Sequence, residues 1–216
     1  LDVFRVFAQS TNGDGEALVN WINPGTYDAT AYNSPAFTAL EGVTGDGSAT
    51  YIGNNWIPAT HGINHKQDDA HIAIYIRNNI DGNKRAFGAK GGSNNASQIA
   101  LRASGQTYIS LNTLNSLDNG ANADSRGMFI INRTASNVHD CYRNKVQIVN
   151  GTDVSSGLPS VELYILGLNN NGGLGFVCTN QASMVTAGGG LTQTNIDNLT
   201  DNFEVYMDSN SKGVIS

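Results

Sequence analysis

The acidic and nucleophilic side chains are the first place to look for chemistry. The chain has four glutamates, Glu16, Glu41, Glu162 and Glu204. Glycoside hydrolysis needs two carboxylates facing one cleft, roughly 5–10 Å apart. None of the four has a second acid two to four residues away within a strand-like segment; Asp14 precedes Glu16, but in a glycine-flanked loop. His61, His65 and His71, with Asp68 and Asp69, form the one metal-like grouping. Histidines at i and i+4 bind a metal when a helix aligns them. Pro58, Gly62 and Asn64 imply a loop here, so polar loop residues are expected rather than a metal site. His139-Asp140-Cys141 sets a thiol beside an imidazole in sequence. A nucleophile needs the two adjacent in space with an orienting third group, which neighbours in one strand do not supply. No catalytic residue is therefore assigned.

Sugar binding asks for less: an aromatic platform and a few amides or charges that fix hydroxyl orientation. Trp56, Tyr32, Tyr142 and Tyr51 are candidate platforms, and Asn54, Asn55, Asp46, Arg143 and the Asn169, Asn170, Asn171 run are candidate polar partners. Trp56 lies in a polar loop and is expected to be exposed, whereas Tyr51 and Trp21 are expected in the core.

Composition agrees with that direction. Charged residues make up 14% of the 216, against about 25% in an average domain. Asn outnumbers Gly, so polarity comes from amides and hydroxyls, as suits tight turns and surfaces that meet sugars. A net charge of −6 with 12 Lys and Arg argues against a nucleic-acid footprint. No apolar run approaches the ~18–20 residues of a membrane-spanning helix. Cys141 and Cys178 cannot form a disulfide framework and are read as two buried free thiols. The chain opens directly on strand-like residues, Leu1 to Phe7, as expected of a mature or excised piece of a longer polypeptide.

The elements that would carry these side chains are short strands. Ala70 to Arg77 alternates with period two: Ile72, Ile74 and Ile76 on one face, His71, Ala73, Tyr75 and Arg77 on the other. Phe37 to Asn54 reads as a hairpin reversing at Thr44-Gly45-Asp46-Gly47-Ser48, since Asp-Gly pairs favour tight reversals. A second hairpin, Gln98–Ala103 with Gln106–Leu111, turns at Ser104-Gly105. Trp56 to Asp69 and Leu117 to Ser125 read as loops. Arg126 to Arg133, Val138 to Asn144, Lys145 to Val149, Val161 to Leu168 and Phe176 to Val185 read as strands. Turn signals every 8–12 residues point to an all-β antiparallel sandwich in one domain, 1–216. Near the end, Thr192 is a good N-cap, and Ile196, Leu199, Phe203 and Tyr206 keep a helical face; this one short helix is expected over one end of the sandwich.

The order of segments resembles a laminin-G-like, concanavalin A-like jelly roll. Thr44-Gly45-Asp46-Gly47 through Tyr51-Ile52 looks like that superfamily's "FDG…YV" opening, and Ala70 to Arg77 like its "fTisfWv" strand. Gly127 to Arg133 with Tyr142-Arg143-Asn144 looks like its "HhvavTrd…lYvNG" hairpin, and Leu163 to Gly167 like "lyIGg". Gly190-Leu191-Thr192 onward resembles the closing "raLsdeEi" helix. Asn23-Pro24-Gly25-Thr26-Tyr27, Asn33-Ser34-Pro35 and Thr44-Gly45-Asp46-Gly47 are similar to a group found in phage and prophage virion proteins, tail-associated ones in particular. The glycanase pattern E-x-D-x-x-E and the lyase patterns R-x-E-x-R and Q-x-H of this architecture are absent.

The resemblance implies a virion or extracellular setting and a non-catalytic module. Its partner would be a surface glycan or another virion protein, with a homo-oligomer as a further expectation. Such domains often carry Ca²⁺, although no twelve-residue calcium loop is present. A purely architectural decoration or oligomerisation domain, and a bacterial polysaccharide-active enzyme, are the alternatives.

Overall fold

The computed structural model describes residues 1–215. Seventeen strands follow one another: β1 Val3–Val6, β2 Thr30–Tyr32, β3 Ala36–Thr38, β4 Gly42–Thr44, β5 Tyr51–Gly53, β6 Ala70–Ile76, β7 Phe87–Lys90, β8 Ala96–Ala103 and β9 Gln106–Thr113. Then come β10 Asp118–Ala121, β11 Gly127–Ala135, β12 Val138–Arg143, β13 Val146–Gly151, β14 Tyr164–Ile165, β15 Leu168–Asn170, β16 Gly173–Gly175 and β17 Gln181–Gly188. A one-turn helix, α1 (Pro58–His61), follows β5, and α2 (Gln193–Ser209) follows β17.

Two sheets form, as the alternation requires. The first runs β13-β12-β11-β6-β17-β4-β3, with β1 also on β17; the second runs β10-β9-β8-β7-β14-β5-β2, with β15 and β16 attached at β7. Every pairing is antiparallel except β15 with β7. The inner faces meet in one apolar cluster: Ile72, Ile74, Ile76, Phe129 and Ile131 from the first sheet, Ile52, Phe87, Ile99, Ile109 and Ile165 from the second. The chain is thus an antiparallel β-sandwich with one substantial helix, at its C-terminal end.

The other face of the isoleucine strand is buried as well, which period two alone did not require. Ala73 and Tyr75 of β6, Met128 and Ile130 of β11 and Met184 of β17 form a second cluster with Ile196, Phe203 and Met207 of α2. The helix therefore lies across the outer face of the first sheet, not over one end of the sandwich. Its start is the expected one: the Thr192 side chain accepts from the Asn195 N–H. Tyr75 and Phe203 pack edge to face at 5.0 Å, and the Tyr75 hydroxyl donates to the Glu204 carboxylate.

Several boundaries differ from expectation. Gly42–Thr44 and Tyr51–Gly53 do not pair with each other: β4 joins β3 and β17, while β5 joins β2 and β14. The Gly-Asp-Gly stretch carries the chain from one sheet to the other. Asp46 Oδ1 accepts from the N–H groups of Ser48, Ala49 and Thr50, which winds the crossing but leaves no ladder behind it. Residues 118–121, read as loop, pair with β9. The run Val161 to Leu168 is broken at Leu166, whose φ is 68°. The turn at Ser104-Gly105 is as expected, both residues having positive φ. Cys141 and Cys178 are free and buried.

Burial also sets the response to acid. His71, against the Gly189 carbonyl and 3.0 Å from Thr186 Oγ1, and His139, near Arg133, are both pushed down to about 4, chiefly by burial. Unfolded histidine titrates near 6.5, so the unfolded chain takes up protons first. Their contribution is complete above about pH 6.5 and is lost as pH falls from there towards 4. Urea unfolding should show a loss of roughly 2–3 kcal/mol per histidine between pH 7 and 4.5. His139→Gln should lose part of that dependence; a midpoint flat over the range would contradict the burial assigned here.

Candidate functional site

While α2 covers β6, β11 and β17 on the outer face of the first sheet, the outer face of the second is open towards β2 and β5; further along it Gln98, Ala100 and Ser110 are buried. On β2, β5 and β14 it carries three tyrosines in a row. Tyr32 stands opposite Tyr51 in register, their rings stacked at 4.5 Å and 5° between planes; Tyr51 and Tyr164 follow at 4.4 Å and 37°. Tyr32 is 37% exposed and Tyr164 only 8%. The ladder thus descends from a wet edge into the sheet. Burial, and then the nearby Glu162 charge, holds the Tyr32 phenol above its ordinary range.

Beside the ladder is a hollow of about 420 Å³ lined by Asn55, Ile57, Ser160, Val161, Glu162, Tyr164, Asn169 and Gly172. Glu162 is the one carboxylate in that lining. Its Oε2 accepts from the Asn55 N–H at 2.8 Å. Gly53 makes this closeness available: a Cβ there would lie 3.0 Å from both Glu162 Oε2 and the Tyr32 ring. Asn55 turns at φ 52° and donates its side-chain amide to the Asp28 carbonyl and Thr30 Oγ1, leaving Oδ1 for other donors. Asn169 is 3% exposed, donating to the Glu162 carbonyl and accepting from Gly172 N–H, so it holds the rim rather than offering free groups. Asn170 and Asn171 stand exposed beyond it.

The remaining sequence candidates lie elsewhere. Trp56, expected in solvent, has no exposed surface and meets His65 edge-on at 5.3 Å in the core. Asn54 is also fully buried, its Oδ1 taken by Arg5 Nε and its carbonyl by Arg5 Nη2. The two follow β5 directly, and the alternation of that strand continues through them into the interior. Trp21 is the reverse case: expected in the core, it is 49% exposed, edge-to-face with Phe4 at 5.8 Å. Asp46 is engaged in the sheet crossing. Tyr142 and Arg143 belong to β12 on the first sheet, where Arg143 pairs with Asp124 at 3.3 Å. Glu162, Tyr164 and Ser160 were missed. Glu162 and Tyr164 sit two apart and so share a face, but only the pairing of β14 with β5 brings them to Tyr51.

The metal and thiol readings resolve plainly. His61 stacks on Tyr27 at 4.4 Å and accepts from the Ile57 N–H, while His65 is buried beneath Trp56. Asp68 binds the Ser155 hydroxyl and Asp69 the Gly190 N–H. Among the described residues no three His, Cys, Asp or Glu side chains converge. They do not fit calcium, which takes six to eight oxygen ligands, carboxylates among them. Cys141 points into the core, and burial raises its thiol far above the range where a thiolate forms.

No protein-family model matches the sequence, and no curated protein matches it. Solved structures do resemble the fold. A Trypanosoma rangeli sialidase in complex with sialic acid aligns with a TM-score of 0.61 and 15% identity over 99% of this chain and 33% of its own. The binding domain of botulinum neurotoxin serotype D aligns at 0.57 and 10% identity over 93% of this chain and 52% of its own. The chain therefore spans a third of the one and about half of the other. These likenesses establish the sandwich fold.

The exchanged tryptophans give a direct check on the surface. Trp21→Phe should leave a blue-shifted emission from Trp56 that acrylamide quenches poorly. Trp56→Phe, provided its circular dichroism is native, should leave Trp21 red-shifted and readily quenched; the opposite assignment would overturn the placement of both.

Proposed function

We propose that this chain is a non-catalytic glycan-recognition module. The observation that carries the reading is the tyrosine ladder beside an amide-lined hollow on the uncovered sheet face, with a single carboxylate in the lining. Sugars bind through C–H faces laid on aromatic rings and hydroxyls held by amides and carboxylates; the outer face of Tyr32, held flat by Tyr51 behind it, supplies the first, and Asn55, Ser160 and Glu162 the second. The lining supplies Glu162 but no second acid, so the carboxylate pair that most glycoside hydrolases use is not assembled in this hollow.

The setting we propose is a phage or phage-like virion, where the module would recognise a surface glycan. Its support is the similarity of Asn23 to Tyr27, Asn33 to Pro35 and Thr44 to Gly47 to tail-associated proteins. An architectural role is the second reading, favoured by one feature. A hollow of about 230 Å³ between β1 and α2 is lined by Phe4, Val6, Leu199, Phe203 and the exposed Trp21. Sedimentation would favour that reading if wild type self-associates and Trp21→Ser does not.

On a glycan array the wild type should bind a restricted set of polysaccharides. Tyr51→Ala and Tyr32→Ala should each weaken that binding by about tenfold, the worth of an aromatic contact of roughly 1–1.5 kcal/mol. A reducing-sugar assay on the bound glycans should show no turnover. Measurable cleavage, or binding indifferent to both tyrosines, would contradict the proposal.

A further inference from the structure

Six of the seven arginines have evident compensation. Arg77 pairs with Glu41 at 2.6 Å, Arg102 with Asp81, and Arg126 and Arg143 with Asp124. Arg5 and Arg133 are buried but reach several backbone carbonyls and feel nearby aspartates. Arg85 is the exception. It is 5% exposed, and among the described residues no carboxylate lies within ion-pair distance of it. Its Nε donates to Gln98 Oε1 at 2.7 Å and its Nη1 to Asn83 Oδ1 and the Lys84 carbonyl, while its Nη2 meets no protein acceptor among the described residues. Burial alone acts on its ionisation, with no opposing acid.

A desolvated charge without a counter-charge is costly, several kcal/mol before relaxation. Here the cation is placed where a counter-charge could arrive. Arg85 forms the wall between two hollows on the same outer face as the tyrosine ladder. One, of about 310 Å³, is shared with Tyr108 and Ser104; the other, of about 190 Å³, with Lys90, Gln98 and Phe176. Lys90 has no ion pair among the described residues, and Phe176, 45% exposed, has its ring centroid 4.7 Å from the guanidinium carbon. With Nε and both Nη1 hydrogens committed, the two Nη2 hydrogens remain to donate to an arriving carboxylate.

We infer that Arg85 is an anion-binding residue that receives the carboxylate of an acidic sugar, making the second sheet's outer face selective for acidic over neutral glycans. The inference rests on the proposed glycan-binding reading for its biological sense, but the site stands on Arg85 alone. The tyrosine hollow holds a carboxylate and no cation, so neutral residues of a chain suit it and the charged residue falls at Arg85.

Titration with sodium glucuronate, followed through the ¹⁵Nε–H resonance of Arg85, tests it. Glucuronate should shift that resonance saturably, glucose should not, and sodium sulfate should reveal whether any oxyanion suffices. Arg85→Gln should cut affinity for uronate-containing oligosaccharides roughly 10- to 100-fold, the range of a charged hydrogen-bonded contact, while leaving neutral ones within about twofold. Because Arg85→Gln alters a buried group, Gln98→Glu provides the control. It places an internal carboxylate on Arg85, and should raise the melting temperature while abolishing the glucuronate shift. If glucuronate leaves Arg85 unmoved, or Arg85→Gln keeps the acidic preference, the inference fails even where neutral glycans bind through Tyr51. If glucuronate binds at Arg85 and the tyrosine variants have no effect, the inference stands and the ladder reading fails.

Discussion

A sheet has two faces, and in this molecule three of the four are spoken for by apolar contact. The inner faces close on each other through Ile72, Ile74, Ile76 and Phe129 against Ile52, Phe87 and Ile99. The outer face of the first sheet is sealed by α2, where Phe203, Ile196 and Met207 meet Tyr75, Met128, Ile130 and Met184. Full burial of one such side chain is worth about 1.5–3 kcal/mol, so the helix is held by many independent contacts rather than by its modest propensity. The fourth face is buried along β8, at Gln98 and Ala100, and what it leaves to a partner is the β2–β5 edge with Tyr32 and the hollows beside Glu162 and Arg85.

That fourth face carries polarity of a particular kind. The chain is poor in charge and rich in amides, and the hollows on this face reflect it: a tyrosine, asparagines, a glutamine, one glutamate, a lysine and one unpaired arginine. The glutamate and the arginine lie in different hollows, so neither neutralises the other. A surface of this type can hold hydroxyls and rings with little desolvation cost, and it offers no converging pair of acids for proton transfer.

The parts legible in the sequence are those governed by local rules. The isoleucine strand, the Ser104-Gly105 turn and the Thr192 cap each depend on residues within a few positions of one another, and each stands where expected. The site was much less legible, because it is assembled by pairings distant in sequence: Tyr51 meets Tyr32 on one side and Tyr164 on the other. Asp46 followed the local rule for a turn, yet that turn changes sheets, which no period-two pattern records. The tryptophans show the limit most clearly. Trp56 sits among polar residues in sequence but beneath them in space, while Trp21 sits among apolar ones and remains at the surface. The coverage by α2, which decides which face is open, depends on packing between residues more than a hundred positions apart.

The most direct test of this account is hydroxyl-radical footprinting of the aromatic side chains, alone and with the glycan that binds best on the array. The account predicts that Tyr32, Tyr51 and Phe176 are oxidised in the free protein, that Tyr32 and Tyr51 are protected by the glycan, and that Tyr75 and Phe203 stay silent in both states. Oxidation of Tyr75 and Phe203 in the folded free protein, or protection confined to Trp21 and α2, would contradict it.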